Sequence, residues 1–286
     1  MHPVVTPHQL ASLLAGPEPP TVADVRWSLT GPSGRVDYQV GHLPGAIFLD
    51  VDTDLAGRPG RGGRHPLPYP AALQTTLRAA GVHPNTPVIA YDAADGSVAA
   101  RLWWLLRWAG HPAVAVLDGG IAAWRAAGLP VTVEVPQPRP GTITVRPGCM
   151  PVLEADQAAE LARTGVLLDA RAAPRYRGVT EPVDSRAGHV PGASNAPFSE
   201  LTDAQGRWLP PIRLRELARR WGVTGAQAGK QVGVYCGSGI NASALLLGLE
   251  LAGVTAPERP AALYAGSWSH WCTDSDRPVA TGPHPG

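Results

Sequence analysis

Short apolar runs alternate with amphipathic stretches along the whole chain. Thr6-Pro7-His8-Gln9-Leu10 is typical of a helix start, because a capping threonine precedes a proline. Val22-Ala23-Asp24-Val25 and Val88-Ile89-Ala90-Tyr91 are typical of buried strands. Each half predicts the order helix, strand, turn, strand, helix, strand, loop, helix, strand, helix. Short apolar strands alternating with helices predict the α/β class, in which helices cover both faces of a parallel sheet.

The second half of the chain repeats the pattern of the first at an offset of about 145 residues, as expected of a duplicated domain. The turn Gly41-His42-Leu43-Pro44-Gly45-Ala46 returns as Gly188-His189-Val190-Pro191-Gly192-Ala193. The apolar strand at residues 88–92 returns at residues 232–236. Because the matched landmarks keep the same order in both halves, we expect two tandem domains of the same fold.

Prolines mark the junction between the two halves. They crowd residues 136–151, and a chain so rich in proline cannot continue a helix or a central strand. Such a stretch favours an extended linker. We therefore predict a first domain at residues 1–135, a proline-rich linker at 136–151 and a second domain at 152–286.

Composition and charge limit the classes of partner. Of the 286 residues, 44% are apolar and 16% are charged, which argues against general disorder. The 24 basic and 23 acidic residues leave a net charge of +1, so no broad positive field attracts nucleic acid or an anionic membrane. The longest apolar stretch, residues 102–116, is too short to span a bilayer, and residues 1–20 do not resemble a signal peptide. We expect neither nucleic acid nor a membrane as a partner.

The chain has three cysteines, Cys149, Cys236 and Cys272. So few cysteines, and an odd number of them, do not make a disulfide framework. They form no Cys-x-x-C pair, so a zinc site built on cysteines is not expected. We expect no metal and no other cofactor, and a reducing, cytoplasmic location.

Cys236 stands where a buried strand ends and a glycine loop leads into a helix. Gly237 and Gly239 allow the backbone angles with which several N–H groups can point at one atom. The positive end of the following helix would favour a sulfur anion, so Cys236 is a candidate nucleophile. The alternative is a buried structural cysteine, which is our interpretation of Cys149 and Cys272.

The loop Cys236-Gly237-Ser238-Gly239-Ile240-Asn241-Ala242 resembles the active loop of the tandem rhodanese-type sulfurtransferases. It is close to the Cys-Gly-Ser-Gly-Val-Thr-Ala form of the 3-mercaptopyruvate sulfurtransferases, with Ile240 and Asn241 as departures. Thiosulfate sulfurtransferases often carry basic residues after the cysteine instead. The resemblance covers nearly the whole chain through both His-x-Pro-Gly turns, Arg101-Leu102-Trp103-Trp104, Arg175-Tyr176-Arg177-Gly178 and Gly266-Ser267-Trp268.

The resemblance implies two rhodanese-like domains, of which only the second is catalytic. Asp92 stands in the first half at the position of Cys236, and a carboxylate cannot carry a transferable sulfur. The implied reaction moves a sulfane sulfur from a small-molecule donor, 3-mercaptopyruvate or thiosulfate, through a persulfide on Cys236. The acceptor would be a thiol, cyanide or a thioredoxin-like protein.

The resemblance also implies roles for individual residues. Ser238, His65 and Asp52 would relay a proton to the departing enolate, and these three join Cys236 as the expected catalytic residues. Arg175 resembles the first arginine that binds the substrate carboxylate. The stretch that carries the second arginine is shorter here, and Arg186 is the nearest candidate. The remaining expected substrate-binding residues come from the loop: Gly237, Gly239, Ile240 and Asn241.

Other interpretations stay open at this point. Phosphatases with a Cys-x5-Arg loop bind phosphate through that arginine, but Ala242 occupies the position here, which argues against them. Thiosulfate:cyanide sulfur transfer as the main activity and a non-enzymatic persulfide carrier remain alternatives. His42 and His189 occur in both halves, including the one without a cysteine, so we interpret them as structural.

Overall fold

The computed structural model describes residues 1–224 and 231–286, and its elements follow the order that the hydrophobic pattern predicts. They belong to two units. Unit 1 comprises Met1–Gly57, Pro68–Cys149 and Thr202–Trp208. Unit 2 comprises Arg58–Leu67, Met150–Leu201 and Leu209–Gly286.

Unit 1 is built on a parallel sheet with the strand order β1-β5-β4-β2-β3. Threonine and proline start α1 as predicted, since the Thr6 hydroxyl and the Gln9 side chain cap each other's backbone N–H groups. The described elements are β1 (Val4–Val5), α1 (Pro7–Leu14), β2 (Thr21–Asp24), α2 (Gly34–Val40), β3 (Ile47–Phe48), α3 (Pro70–Ala79), β4 (Val88–Tyr91), α4 (Ala99–Trp108), β5 (Val114–Leu117) and α5 (Gly120–Ala126).

Unit 2 repeats this plan with the strand order β7-β6-β8-β9, again parallel. Its central strand β8 is buried along its whole length, as an apolar strand covered on both faces should be. The described elements are α6 (Ala155–Thr164), β6 (Val166–Asp169), α7 (Ala173–Tyr176), β7 (Ser194–Asn195), a 3-10 turn (Phe198–Glu200), α8 (Pro211–Arg220), β8 (Val232–Tyr235), α9 (Ile240–Leu251), β9 (Ala262–Leu263) and α10 (Ser267–Trp271).

The predicted α/β class with two parallel sheets is confirmed, and two details differ from the sequence pattern. The strand β1 was not predicted, because two residues give no periodicity and only pairing with β5 makes them a strand. The helices α2 and α7 occupy segments predicted only as turns. None of the described helices combines the length and the apolar character that spanning a bilayer requires.

The predicted linker, residues 136–151, contains no helix or strand within the described structure. Most of it, up to Cys149, belongs to unit 1, where Gly141 N–H donates to the Arg78 carbonyl at 2.7 Å and Cys149 N–H donates to the Trp108 carbonyl at 3.2 Å. Those backbone hydrogen bonds hold the extended, proline-rich chain in place, although it does not pair with a β-strand. The domain limits 1–135 and 152–286 stay predictions.

A short segment from each half of the sequence belongs to the unit formed mostly by the other half. Residues Arg58–Leu67, called the arm below, belong to unit 2, and residues Thr202–Trp208 belong to unit 1. In each half the segment follows the strand that comes after the His-x-Pro-Gly turn. The two exchanged segments therefore occupy equivalent positions in the duplicated halves. The hydrophobic pattern carries no sign of the exchange, because both segments are mostly polar, and residues 58–67 are also rich in glycine.

The histidine of the repeated turn is a buried structural residue in both units. His42 and His189 are each fully buried, and the ring of each stacks on a tyrosine, Tyr38 or Tyr176, at a centroid distance of 3.8 Å. His189 Nδ1 lies 2.8 Å from the Tyr176 carbonyl and Nε2 lies 3.2 Å from the Pro285 carbonyl. These contacts tie the turn to the C-terminal segment.

We expect His189→Ala to lower the free energy of unfolding by about 1–3 kcal/mol, because it removes a buried hydrogen-bonded ring that stacks on Tyr176. Urea unfolding followed by circular dichroism measures the change. His8→Ala, on the exposed face of α1, is the control and should change stability by less than about 0.5 kcal/mol. Equal stability of the two variants would contradict the structural role.

Candidate active site

Cys236 directly follows β8 and precedes the first turn of α9. Gly239 stands at the helix N-cap with φ +82°, a left-handed conformation that glycine adopts without strain. Its N–H donates to Cys236 Sγ at 3.1 Å, and the cysteine is only 3% exposed. A backbone donor and the positive end of a helix therefore both meet the sulfur, which suits it to carry negative charge.

The start of α10 holds this loop in place. Ser267 has φ +55°, an unfavourable angle for a residue with a side chain. In that position its hydroxyl accepts the Cys236 N–H at 3.1 Å. The next two N–H groups, of Trp268 and Ser269, donate to the carbonyls of Cys236 and Gly237 at 3.0 and 2.9 Å. The sequence analysis gave this segment no role in the site, although Gly266-Ser267-Trp268 is part of the family resemblance.

Two predicted relay residues lie together in unit 2. His65 Nδ1 is 2.7 Å from Ser238 Oγ, and each side chain is only 6% exposed. His65 comes from the arm, 173 positions away from Ser238 in sequence. With a proton on Nδ1 that is donated to Ser238 Oγ, the serine can pass its own proton onward and take one back from the imidazole. The roles of these two residues stay predictions.

The third predicted relay residue, Asp52, lies in unit 1. Its Oδ2 accepts a hydrogen bond from the Trp27 indole N–H at 3.0 Å, and its backbone N–H donates to Asp50 Oδ1 at 2.9 Å. The first bond holds the Asp52 carboxylate and the second holds its backbone. Its part in the relay stays a prediction.

Two guanidinium groups lie beside Gly237. A Cβ atom at Gly237 would lie 3.0 Å from Arg64 Nη2 and 3.4 Å from Arg175 Nη1. Arg175 is a predicted substrate-binding residue. The sequence analysis did not identify Arg64 as a site residue, although Arg64 directly precedes His65 and lies on the same arm. The loop itself is uncharged, but its surroundings supply two cations, so the missing loop charge does not by itself decide the donor.

Two buried carboxylates hold these arginines. Arg175 donates to Glu181 Oε1 at 2.6 Å and to Asp184 Oδ2 at 3.0 Å, and Arg64 pairs with the other oxygen of Asp184. Glu181 also accepts from Arg171 at 3.3 Å. Burial acts to raise the pKa of Glu181, but hydrogen bonds from Arg175 and from backbone N–H groups lower it overall.

Arg186 makes contacts of a different kind. Its Nη1 donates to the carbonyls of Asp274 and Arg277 at 3.0 and 3.1 Å, which ties it to the C-terminal segment. Of the predicted loop residues, Ile240 is buried at the start of α9, whereas Asn241 is half-buried. The substrate-binding roles of all three stay predictions.

Asp92 occupies in unit 1 the place that Cys236 has in unit 2. Its Oδ1 accepts from the N–H groups of Ala94 and Gly96 at 3.2 and 3.0 Å, and its Oδ2 from those of Val98 and Ala99 at 2.9 and 3.1 Å. Burial raises the pKa of Asp92 to about 6. The loop of unit 1 therefore encloses its own carboxylate, where unit 2 has a thiol.

Comparisons with known proteins agree with this geometry. The Rhodanese-like domain family matches residues 6–127 and again 154–274. A Pseudomonas aeruginosa protein named "Probable 3-mercaptopyruvate sulfurtransferase" is 45% identical over 98% of both chains. SseB of Mycobacterium tuberculosis, which carries the name of a thiosulfate sulfurtransferase, is 40% identical over 98% of this chain and 97% of its own. The crystal structure of SseA from Escherichia coli, a 3-mercaptopyruvate sulfotransferase, superposes with a TM-score of 0.81 at 28% identity, over 94% of this chain and 100% of that one.

The lowered pKa of Glu181 predicts a pH-dependent stabilisation. Because the folded pKa lies below the ordinary value of 4.5, the ionised carboxylate stabilises the fold above about pH 4.5, and this is lost as the pH falls through the folded pKa. We expect the difference in Tm between wild type and Glu181→Gln to be largest near neutral pH and to close in acid. Glu160→Gln, an exposed acid in a surface pair, is the control and should differ little from wild type at any pH. A difference that persists unchanged at pH 3 would contradict the argument.

Proposed function

Because the chain belongs to the Rhodanese-like domain family, we propose that it transfers a sulfane sulfur from 3-mercaptopyruvate, through a persulfide on Cys236, to an acceptor. The chain is a sulfurtransferase by its relatives, one of them 45% identical over nearly its whole length. The observation that carries the choice of donor is the buried pair of Ser238 and His65 beside the cysteine. Thiosulfate transfer needs no such pair.

In the first step, the Cys236 thiolate attacks the sulfur of the donor. A sulfur–sulfur bond forms, and the carbon–sulfur bond of the donor breaks with its electron pair, which leaves on the enolate of pyruvate. The transferred sulfur keeps its own proton and ends as the outer atom of the persulfide. The Gly239 N–H and the N-terminus of α9 meet the inner sulfur and stabilise its charge before the attack.

The enolate needs a proton, and Ser238 is placed to give one. Its hydroxyl lies two residues after the nucleophile and 2.7 Å from His65 Nδ1. As the serine proton moves to the enolate carbon, a protonated His65 gives its Nδ1 proton to the serine oxygen and becomes neutral imidazole, and pyruvate leaves as a ketone carrying its carboxylate. Both groups are buried, so the proton does not have to come from bulk water.

In the second step, the thiolate of an acceptor attacks the outer sulfur of the persulfide. The acceptor becomes a persulfide and Cys236 returns as the thiolate; with cyanide the product is thiocyanate. We propose a small thiol, cyanide or a thioredoxin-like protein as acceptor. A reducing compartment such as the cytoplasm suits this cycle, since it keeps Cys236 a free thiol between turnovers.

Thiosulfate transfer as the main activity is the second candidate. The 40% identical relative that carries a thiosulfate sulfurtransferase name favours it. The guanidinium groups of Arg64 and Arg175 beside Gly237 also suit an anionic sulfonate. We propose 3-mercaptopyruvate ahead of it, because sulfite leaves without a proton and gives the Ser238–His65 pair nothing to do.

We propose that unit 1 carries no sulfur. Asp92 fills the position of the nucleophile, and its two oxygens already take four backbone N–H donors. A donor anion would find those N–H groups occupied. Sulfur transfer then belongs to unit 2 alone.

Cys236→Ser should abolish sulfur transfer without unfolding the chain, because the hydroxyl fits the loop but is a poor nucleophile. Incubation of wild-type protein with 3-mercaptopyruvate should add one sulfur by intact mass, and cyanide should remove it. Cys272→Ser, at the other buried cysteine, is the control and should load normally. Sulfur loading that survives in Cys236→Ser would identify another carrier.

Ser238→Ala should lower kcat/KM for 3-mercaptopyruvate by about a hundredfold or more, the usual size of a lost proton transfer. Turnover of thiosulfate should change by less than about threefold, since its leaving group needs no proton. Ser243→Ala is the control: this buried hydroxyl bonds the Gly239 carbonyl at 3.1 Å and supports the loop without facing His65. Equal losses with both donors would mean that Ser238 only shapes the loop.

A further inference from the structure

The arm brings a cation as well as the histidine to the loop. Arg64 and His65 are neighbours in sequence, and within unit 2 His65 lies against Ser238 while Arg64 Nη2 lies beside Gly237. The Arg64 N–H donates to Ser269 Oγ at 3.0 Å, which anchors the arm to the start of α10. One short segment therefore delivers a proton-relay group and a guanidinium together.

The ion pairs of Arg64 and Arg175 leave one amino group of each arginine for a ligand. Asp184 takes Arg64 Nη1 with one oxygen and Arg175 Nη2 with the other. Arg64 Nη2 and Arg175 Nη1 have no hydrogen-bond partner among the described residues, and they are the guanidinium atoms nearest to the Cβ position of Gly237, at 3.0 and 3.4 Å. Two unpaired N–H groups beside the same glycine suit the two oxygens of a carboxylate.

Asp184 positions the two arginines and leaves Arg64 Nη2 and Arg175 Nη1 without a hydrogen bond. Its side chain is 4% exposed, and it bridges Arg64 Nη1 and Arg175 Nη2. Buried bridging of this kind fixes both planes, so neither arginine loses much conformational freedom when a carboxylate arrives. Arg186 takes no part in this arrangement, since its Nη1 donates hydrogen bonds to backbone carbonyls of the C-terminal segment.

We propose, on the basis of the proposed function, that Arg64 is the second carboxylate-binding arginine of the donor site and shares the donor carboxylate with Arg175 over Gly237. The arm thereby couples recognition to chemistry. The carboxylate at one end of the donor is held by Arg64, while the carbon at the other end receives its proton through His65 and Ser238. The site selects donors that carry both a carboxylate and an enolisable ketone.

The test compares donors with and without the carboxylate. Arg64→Gln should raise KM for 3-mercaptopyruvate about tenfold or more, with kcat within about threefold, because the lost contact acts in binding. Mercaptoacetone has a methyl group in place of the carboxylate. The rate at which it loads sulfur onto Cys236, followed by intact mass, should change by less than about threefold in the same variant. Arg64→Lys keeps the charge and the pair with Asp184 but loses the fork, so its KM should fall between those of wild type and Arg64→Gln.

Arg61→Gln is the matched control, since this exposed arginine lies on the same arm and has no ion pair or hydrogen bond among the described residues. It should leave both donors unchanged. An Arg64→Gln variant with the KM of Arg61→Gln would overturn the inference, as would equal losses with both donors. Arg64→Lys covers the case in which Arg64→Gln fails to fold. A wild-type protein that loads no sulfur from any donor would instead overturn the proposed function.

Discussion

The candidate site depends on a buried ion pair at the end of β6. Asp169 and Arg171 are both almost completely buried, and Arg171 Nη2 bonds Asp169 at 2.6 Å and the Gly188 carbonyl at the same distance. Burial alone would lower the pKa of Arg171, but the Asp169 carboxylate raises it overall, so the guanidinium stays charged. Its third contact is Glu181, through which the charge network reaches Arg175 and beyond. Removing one partner of such a pair leaves an uncompensated buried charge.

Unit 1 contains the same pair without the network. Asp24 and Arg26 bond at 2.6 Å, and Arg26 donates to the Gly41 carbonyl at 2.9 Å, as Arg171 does to Gly188. Beyond that point the two halves differ, because no described carboxylate links Arg26 onward as Glu181 links Arg171 to Arg175. The duplicated framework supports the strand end and the histidine turn in both units. Among the described residues, the extension of the charge network to Arg175 occurs only in the unit that has the Cys236 thiol.

Local signals in the sequence predicted the parts of the fold and site that local chemistry determines. The strand–glycine loop–helix around Cys236 and the capped start of α1 both follow from neighbours a few residues apart. Family resemblance supplied His65, which the arm places against Ser238. Arg64 was missed because its partners, Asp184 and Gly237, lie more than a hundred positions away in sequence. No periodicity carries such distant pairings, so the exchange of the arm could only be found in three dimensions.

The exchange of the arm also bears on how the chain can change over evolutionary time. Here the first half encodes residues Arg58–Leu67, which belong to the unit with Cys236. A deletion that removed the first half would take His65 and Arg64 with it. Unit 2 is therefore not encoded by the second half alone, and the two halves cannot be separated at their junction without removing part of the unit that holds Cys236.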